Sequence, residues 1–141
     1  MYLRIGTVHA VDPATHRIRV LFDDQDADYI SDWLPFFAWA GSYKLPEKGR
    51  QVWCILREEG EEDGLALCET WNDEDTPPES GAGMFYFRAP DGSKLKYHNG
   101  VMTIQAASIV LDGAVTVTGN LTAAHLKSNT IVEDAAGNVR I

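Results

Sequence analysis

The stretch SIVLDGAVTVTGNLTAA, residues 108–124, decides how the second half of this chain is to be read. Ile109, Leu111, Gly113, Val115, Val117, Gly119, Leu121 and Ala123 share one parity, and none of them is polar. The other parity, Val110, Asp112, Ala114, Thr116, Thr118, Asn120 and Thr122, is mostly polar. Alternation with period two is the pattern of a strand with one buried face. No helical periodicity lies nearby to cover that face, and the glycines at 113 and 119 suggest corners where the strand changes direction.

Just upstream, GMFYFRAPDGSKLKYHNGVMTIQ reads as three strands joined at Asp91-Gly92 and Asn99-Gly100, both strong hairpin pairs. Met102, Ile104 and Ala106 hold one parity and Ile109 onward the other, which predicts a bulge or bend near Ala107-Ser108. Residues 81–141 number 61, near the lower limit for a chain folding alone without metals or disulfides. A lone sheet of such strands leaves its apolar face wet and its edges unpaired. The regular alternation favours closure with copies of the same chain over packing on the first half. An intertwined three-chain β-prism supplies both the missing core and the missing edge partners. Ile109, Leu111, Val115, Val117 and Leu121 are then expected to line the trimer axis.

The first half differs in character. Residues 1–80 hold 7 Lys+Arg against 17 Asp+Glu, a net of −10, whereas residues 81–141 hold 5 against 4, a net of +1. RIGTVHAVDPATHRIRVLFDD reads as a hairpin turning at Asp12-Pro13. Gln51–Arg57 and Leu65–Trp71 read as a second strand pair around the acidic loop REEGEEDG. With a strand end at Asp32–Leu34, these short strands and no credible helix predict a small barrel over residues 1–75. NDEDTPPES, acidic with two prolines, carries the domain boundary; the linker is placed at 76–83 and the trimeric β-prism at 84–141. The fold class expected is all-β.

No basic patch interleaves with the aromatic residues, so nucleic acid is not an expected partner. The N-terminus lacks a secretory signal pattern and no apolar run reaches the length of a membrane-spanning helix, which predicts synthesis in the cytosol. Cys54 and Cys68 fall opposite one another if their strands pair symmetrically about Glu61; a cytosolic setting favours two reduced, buried thiols over a disulfide.

The order of GTVHAVDPATHRIRVLFDD, DWLPFFAWAG, LPEKGRQVWCILREEGEEDGLALCETW and DGSKLKYHNG resembles the phage baseplate assembly protein V family, the central spikes of contractile phage tails. The resemblance covers nearly the whole chain through an ordered set of segments, with no single diagnostic motif. It implies an N-terminal OB-fold attached to the tail hub and baseplate proteins, followed by a trimeric β-helix. It also implies a mechanical role, in which sheath contraction drives the homotrimer through the host outer membrane from the baseplate tip of the virion. Many members bind an iron ion through a His-x-His pair near the C-terminus. This chain ends HLKSNTIVEDAAGNVRI without that pair, so the tip, represented by Asp134, Asn138, Val139, Arg140 and Ile141, is either blunt and metal-free or capped by a separate protein.

No cofactor and no catalytic residue is expected, since no Ser-His-Asp, P-loop or H-E-x-x-H signature is present. His125 continues the inward parity, and three copies around an axis would bring three imidazoles together as a weak metal candidate. His98 reads as a turn residue, and His9 and His16 lie in or beside the first hairpin with no nucleophile. Asp23, Asp24, Asp26, Asp28 and Glu58, Glu59, Glu61, Glu62, Asp63 match no EF-hand spacing and read as solvated loops. Trp33, Phe36, Phe37 and Trp39 read as core packing or a docking surface. The alternative function is an OB-type carbohydrate or single-stranded nucleic acid binding module on a trimerising β-stalk.

Overall fold

The computed structural model describes residues 1–23, 28–57, 60–130 and 136, and its strands fall into two antiparallel sheets with no helix among the described residues. The chain divides into two compact units, Met1–Ser80 and Gly81–Ile141.

The first unit is built on β1 (Tyr2–Asp12), β2 (Arg17–Phe22), β3 (Tyr29–Ile30), β4 (Leu34–Pro35), β5 (Gln51–Arg57) and β6 (Gly60–Glu69). β1 is long enough to serve two neighbours. Residues 2–7 pair with β5 and residues 7–12 pair with β2. The ladder to β2 slips between Val8 and Ala10, leaving His9 as the extra residue of a bulge. A bulge bends a strand and increases its twist, and this one lies just past the residues of β1 that pair with β5. The hairpin into β2 is held by Asp12, whose carboxylate accepts from the Ala14 N–H at 3.1 Å and the Thr15 hydroxyl at 2.6 Å.

β4 lies against β2 through Leu34 and Pro35, and the residue after it, Phe36, forms a parallel bridge to Ala66 of β6. The Phe37 N–H donates to the Ala66 carbonyl at 2.8 Å. β6 also pairs with β5, so this one bridge brings the segment after β4 to the far end of the β3-β2-β1-β5-β6 order. Inside lie Val8, Ile18, Val20, Phe22, Leu34, Val52, Cys54, Leu56 and Ala66, supplied by β1, β2, β4, β5 and β6. Gly6 belongs to the same inward row, and a Cβ there would run into Val20, the Leu21 carbonyl and the Phe22 ring. Arg4, also inward, is buried with its guanidinium 4.4 Å from the Phe22 ring centroid. Ser31 is buried as well; its hydroxyl accepts from the Val20 N–H at 2.9 Å and donates to the Asp32 carbonyl at 2.8 Å.

Two expectations for this half are corrected. Much of REEGEEDG is strand, because β5 runs to Arg57 and β6 starts at Gly60. The pairing is not symmetric about Glu61. Cys54 faces Ala66 and Cys68 faces Trp53, with a register slip between the two pairs. Both cysteines are free, Cys54 buried in the core and Cys68 exposed, so the expected pair of buried thiols is half right.

The acidic segment after β6 is strapped to the barrel. Arg50 pairs with Glu69 at 3.3 Å and with Asp75, and its guanidinium lies 4.5 Å from the Trp71 ring centroid. Asn72 donates to the Gln51 side chain at 3.0 Å and accepts from the Glu74 and Asp75 N–H groups at 3.0 and 2.8 Å.

The second unit holds β7 (Phe85–Arg88), β8 (Lys94–His98) and β9 (Val101–Gln105), a three-stranded meander. Beyond it, residues 106–130 belong to neither sheet.

Candidate assembly surface

The meander's register is set by its turns. Asn99 has φ 49° and Gly100 φ 80°, the two successive left-handed residues that a tight two-residue hairpin needs, and they join His98 directly to Val101. At the other connection Gly92 has φ 89°, the Asp91 carboxylate accepts from the Ser93 N–H at 2.9 Å, and the Ala89 N–H donates to the Ser93 carbonyl at 2.8 Å. That N–H on the carboxylate holds Asp91 below its usual carboxyl range.

With this register, Phe85 stands opposite Tyr97, which stands opposite Met102. Phe87 stands opposite Leu95, which stands opposite Ile104. Two rows of three apolar side chains therefore cover one face of the sheet. Phe85 and Tyr97 stack with centroids 5.3 Å apart. The other face carries Tyr86, Lys96 and Thr103 in one row and Arg88, Lys94 and Gln105 in the next. A sheet this small with a one-sided apolar face is ordinarily buried. Here Phe87 is 68 % and Ile104 57 % exposed.

The same condition continues into the alternating segment. Every residue from Ala106 to Thr130 is exposed, including Ile109, Leu111, Val115, Val117 and Leu121, the expected axis residues. Among the described residues this segment has no ladder partner, so the period-two pattern is present there without the sheet it describes. The chain bends at Ala107, Gly113, Thr118-Gly119, Ala124 and Asn129-Thr130, leaving short straight pieces of about four or five residues between corners. The bend expected near Ala107-Ser108 and both glycine corners are among them. Five apolar residues of the β7–β9 face and five of the segment are thus exposed in one copy of the chain, with Tyr97 half-buried among them, and clustered exposed apolar residues mark interaction surfaces.

Sequence reasoning singled out the alternating residues but did not assemble the six-residue face of the meander. The signal was present in FYFR, KLKYH and VMTIQ. Their relative register becomes fixed only when the two turns are counted as connections of definite length.

The remaining candidates are placed as follows. His125 is exposed, and among the described residues no three His, Cys, Asp or Glu side chains gather as metal ligands. His98 ends β8 rather than occupying the turn, with its imidazole against Gly81. His16 lies in the first hairpin turn at φ 54°, beside the Tyr43 ring and 3.0 Å from the Lys44 carbonyl. The aromatic cluster splits: Phe36 packs on the core, Trp33 lies under Arg19, and Phe37 and Trp39 meet edge to face at the surface, Trp39 being 78 % exposed. Core packing therefore holds for Phe36 and not for Trp39. Asp23, Asp28 and Asp63 are exposed; Asp24, Asp26, Glu58 and Glu59, and the tip residues Asp134, Asn138, Val139, Arg140 and Ile141, lie outside the described residues.

No protein-family model matches the chain, and no curated protein is found to be significantly similar to it.

Proposed function

We propose that this chain is the central spike of a contractile tail baseplate, a homotrimer whose first unit attaches to the hub and whose second unit forms a rigid shaft driven through the host outer membrane. The observation that carries the reading is the series of uncovered apolar side chains recurring from Phe85 to Leu121, on a chain that bends at near-regular intervals. Three copies wound about one axis give each straight piece a neighbour on both edges and point the apolar parity inward. A shaft so closed has no exposed lateral edge, and axial load is carried by ladders and a dry core rather than by single loops. The tip is either blunt or held by a separate capping protein.

The first unit supports an OB-type barrel for the attachment domain. Its β1 pairs both β2 and β5, and the segment after β4 closes against β6 in parallel, as a five-stranded Greek-key barrel does. Its net charge of −10 over residues 1–80 suits docking on a basic hub surface and disfavours a phosphate backbone.

Mass by light scattering on the full chain tests the assembly, with three times 15.6 kDa expected and a single-chain mass refuting it. Immunogold labelling of contractile particles tests the place, with label expected at the distal end of the tail. A second reading, a carbohydrate-binding module on a trimeric stalk, is favoured by Trp39 and the neighbouring Phe37 at the surface. Quenching of tryptophan fluorescence by oligosaccharides that is lost in Trp39→Ala would support it; saturation with no change opposes it.

A further inference from the structure

The alternating segment repeats itself. Moving it by six residues carries Ile109 onto Val115 and Leu121, Leu111 onto Val117 and Ala123, and Gly113 onto Gly119. The bends at Ala107, Gly113 and Gly119 follow the same spacing. Strands whose pattern survives a shift specify their register weakly. Three such segments slipped by one repeat still bury apolar residues against apolar residues and set corner beside corner. Something else must therefore align the copies.

We infer that the apolar face of β7–β9 is the device that sets chain register in the trimer and seeds its assembly, the partner being two further copies of this chain. This inference rests on the trimeric reading above. Nothing in that face repeats: its two rows read Phe85, Tyr97, Met102 and Phe87, Leu95, Ile104. Three copies offset by one repeat would not present equivalent residues to each other. Its internal pairing is fixed by the Asp91-Gly92 and Asn99-Gly100 connections, both local in sequence, so it forms within one chain and ahead of any contact between chains. It runs directly into the alternating segment, one bend at Ala107 separating Gln105 from Ile109. The bulky sheet aligns three chains, and the small-residue repeat then zips in the register it inherits. Arg88, Lys94 and Lys96 stand on the opposite face, where three copies leave them outside the core.

The test reads register by disulfide trapping in full-length chains carrying Cys54→Ala and Cys68→Ser. Chains with Leu111→Cys and mass-tagged chains with Val117→Cys are co-refolded, oxidised and analysed by mass spectrometry. Aligned trimers give 111–111 and 117–117 links, whereas trimers slipped by one repeat give 111–117 links. With the native sheet, same-position links dominate. Adding Phe87→Ser raises the 111–117 fraction by roughly tenfold or more, the scale expected from losing one buried aromatic side chain per copy, while Phe87→Leu leaves it low. An unchanged 111–117 fraction in trimeric Phe87→Ser overturns the inference. Should that variant not assemble, the same ratio is read in Ile104→Ala, and an unchanged value there overturns it equally. A parent chain that stays monomeric fails the trimeric reading itself, a result distinct from either.

Discussion

Val117 sits mid-segment, 51 % exposed in the single chain and assigned to the trimer axis by parity. Val117→Asp places three carboxylates around that axis. Each copy forfeits the burial of a valine, worth about 1.5 kcal/mol or more, and each ionised carboxylate left unpaired in a dry interior costs several kcal/mol further. Over three copies the loss is on the order of 10 kcal/mol, about seven powers of ten in the association constant. A trimer held at micromolar concentration does not survive that loss. Burial and the two neighbouring carboxylates both raise the pKa of the introduced acid in the trimer above its value in the free chain. Assembly is therefore favoured below the free-chain pKa, where all copies are neutral, and is lost as pH rises through the raised one. The assay is light scattering at pH 7 and again near pH 4, alongside Thr116→Asp, whose side chain belongs to the outward parity. The expected results are a monomer at pH 7 with partial recovery in acid, and an intact trimer for Thr116→Asp. A Val117→Asp trimer at pH 7, or a Thr116→Asp monomer, refutes the parity and with it the axis assignment.

Burial pushes the Cys54 thiol up to about 12, with Cys68 adding to the rise, so at pH 8 a thiol reagent should modify only Cys68 until the barrel unfolds. Because the folded value lies above the ordinary one of 9.0, this thiol adds no pH dependence below that value, and barrel stability should fall as pH climbs from about 9 toward 12 in denaturant titrations. Gly6→Ala should lower barrel stability by roughly 2 kcal/mol, since its Cβ meets the Leu21 carbonyl and the Phe22 ring; a thermal midpoint within a degree of the parent would contradict that packing. Arg50→Ala should cost about 1–2 kcal/mol and red-shift Trp71 emission by freeing the strap, and Arg50→Lys should not restore it, because the flat guanidinium both stacks on Trp71 and reaches two carboxylates.

The all-β class, the boundaries of β5, the hairpin turns and the bends at Ala107, Gly113 and Gly119 were legible in the sequence because each follows from local chemistry. Period-two alternation, the left-handed tolerance of Asn-Gly, and glycine where a strand turns act within a few residues. The Phe36–Ala66 bridge, the Cys54–Ala66 register and the exposed face of β7–β9 were not legible in the same way. The parallel contact of Phe36 with Ala66 joins residues thirty apart, and nothing in either segment names the other. Cys54 and Cys68 miss each other because Arg57 already pairs with Gly60 and the ladder shifts twice along its length, which a symmetric count about Glu61 does not see. Arg50 reads as a surface cation until the fold brings Glu69, Trp71 and Asp75 around it. The sequence by itself determined which residues alternate, where the chain turns and how charge divides between the halves. Only the tertiary structure decided which alternating faces find cover in their own chain. The core residues of the first unit do, because five strands converge on them; Phe87 and Ile104 do not, because one copy supplies a single three-stranded layer with no opposite side, and Val117 lies outside both sheets.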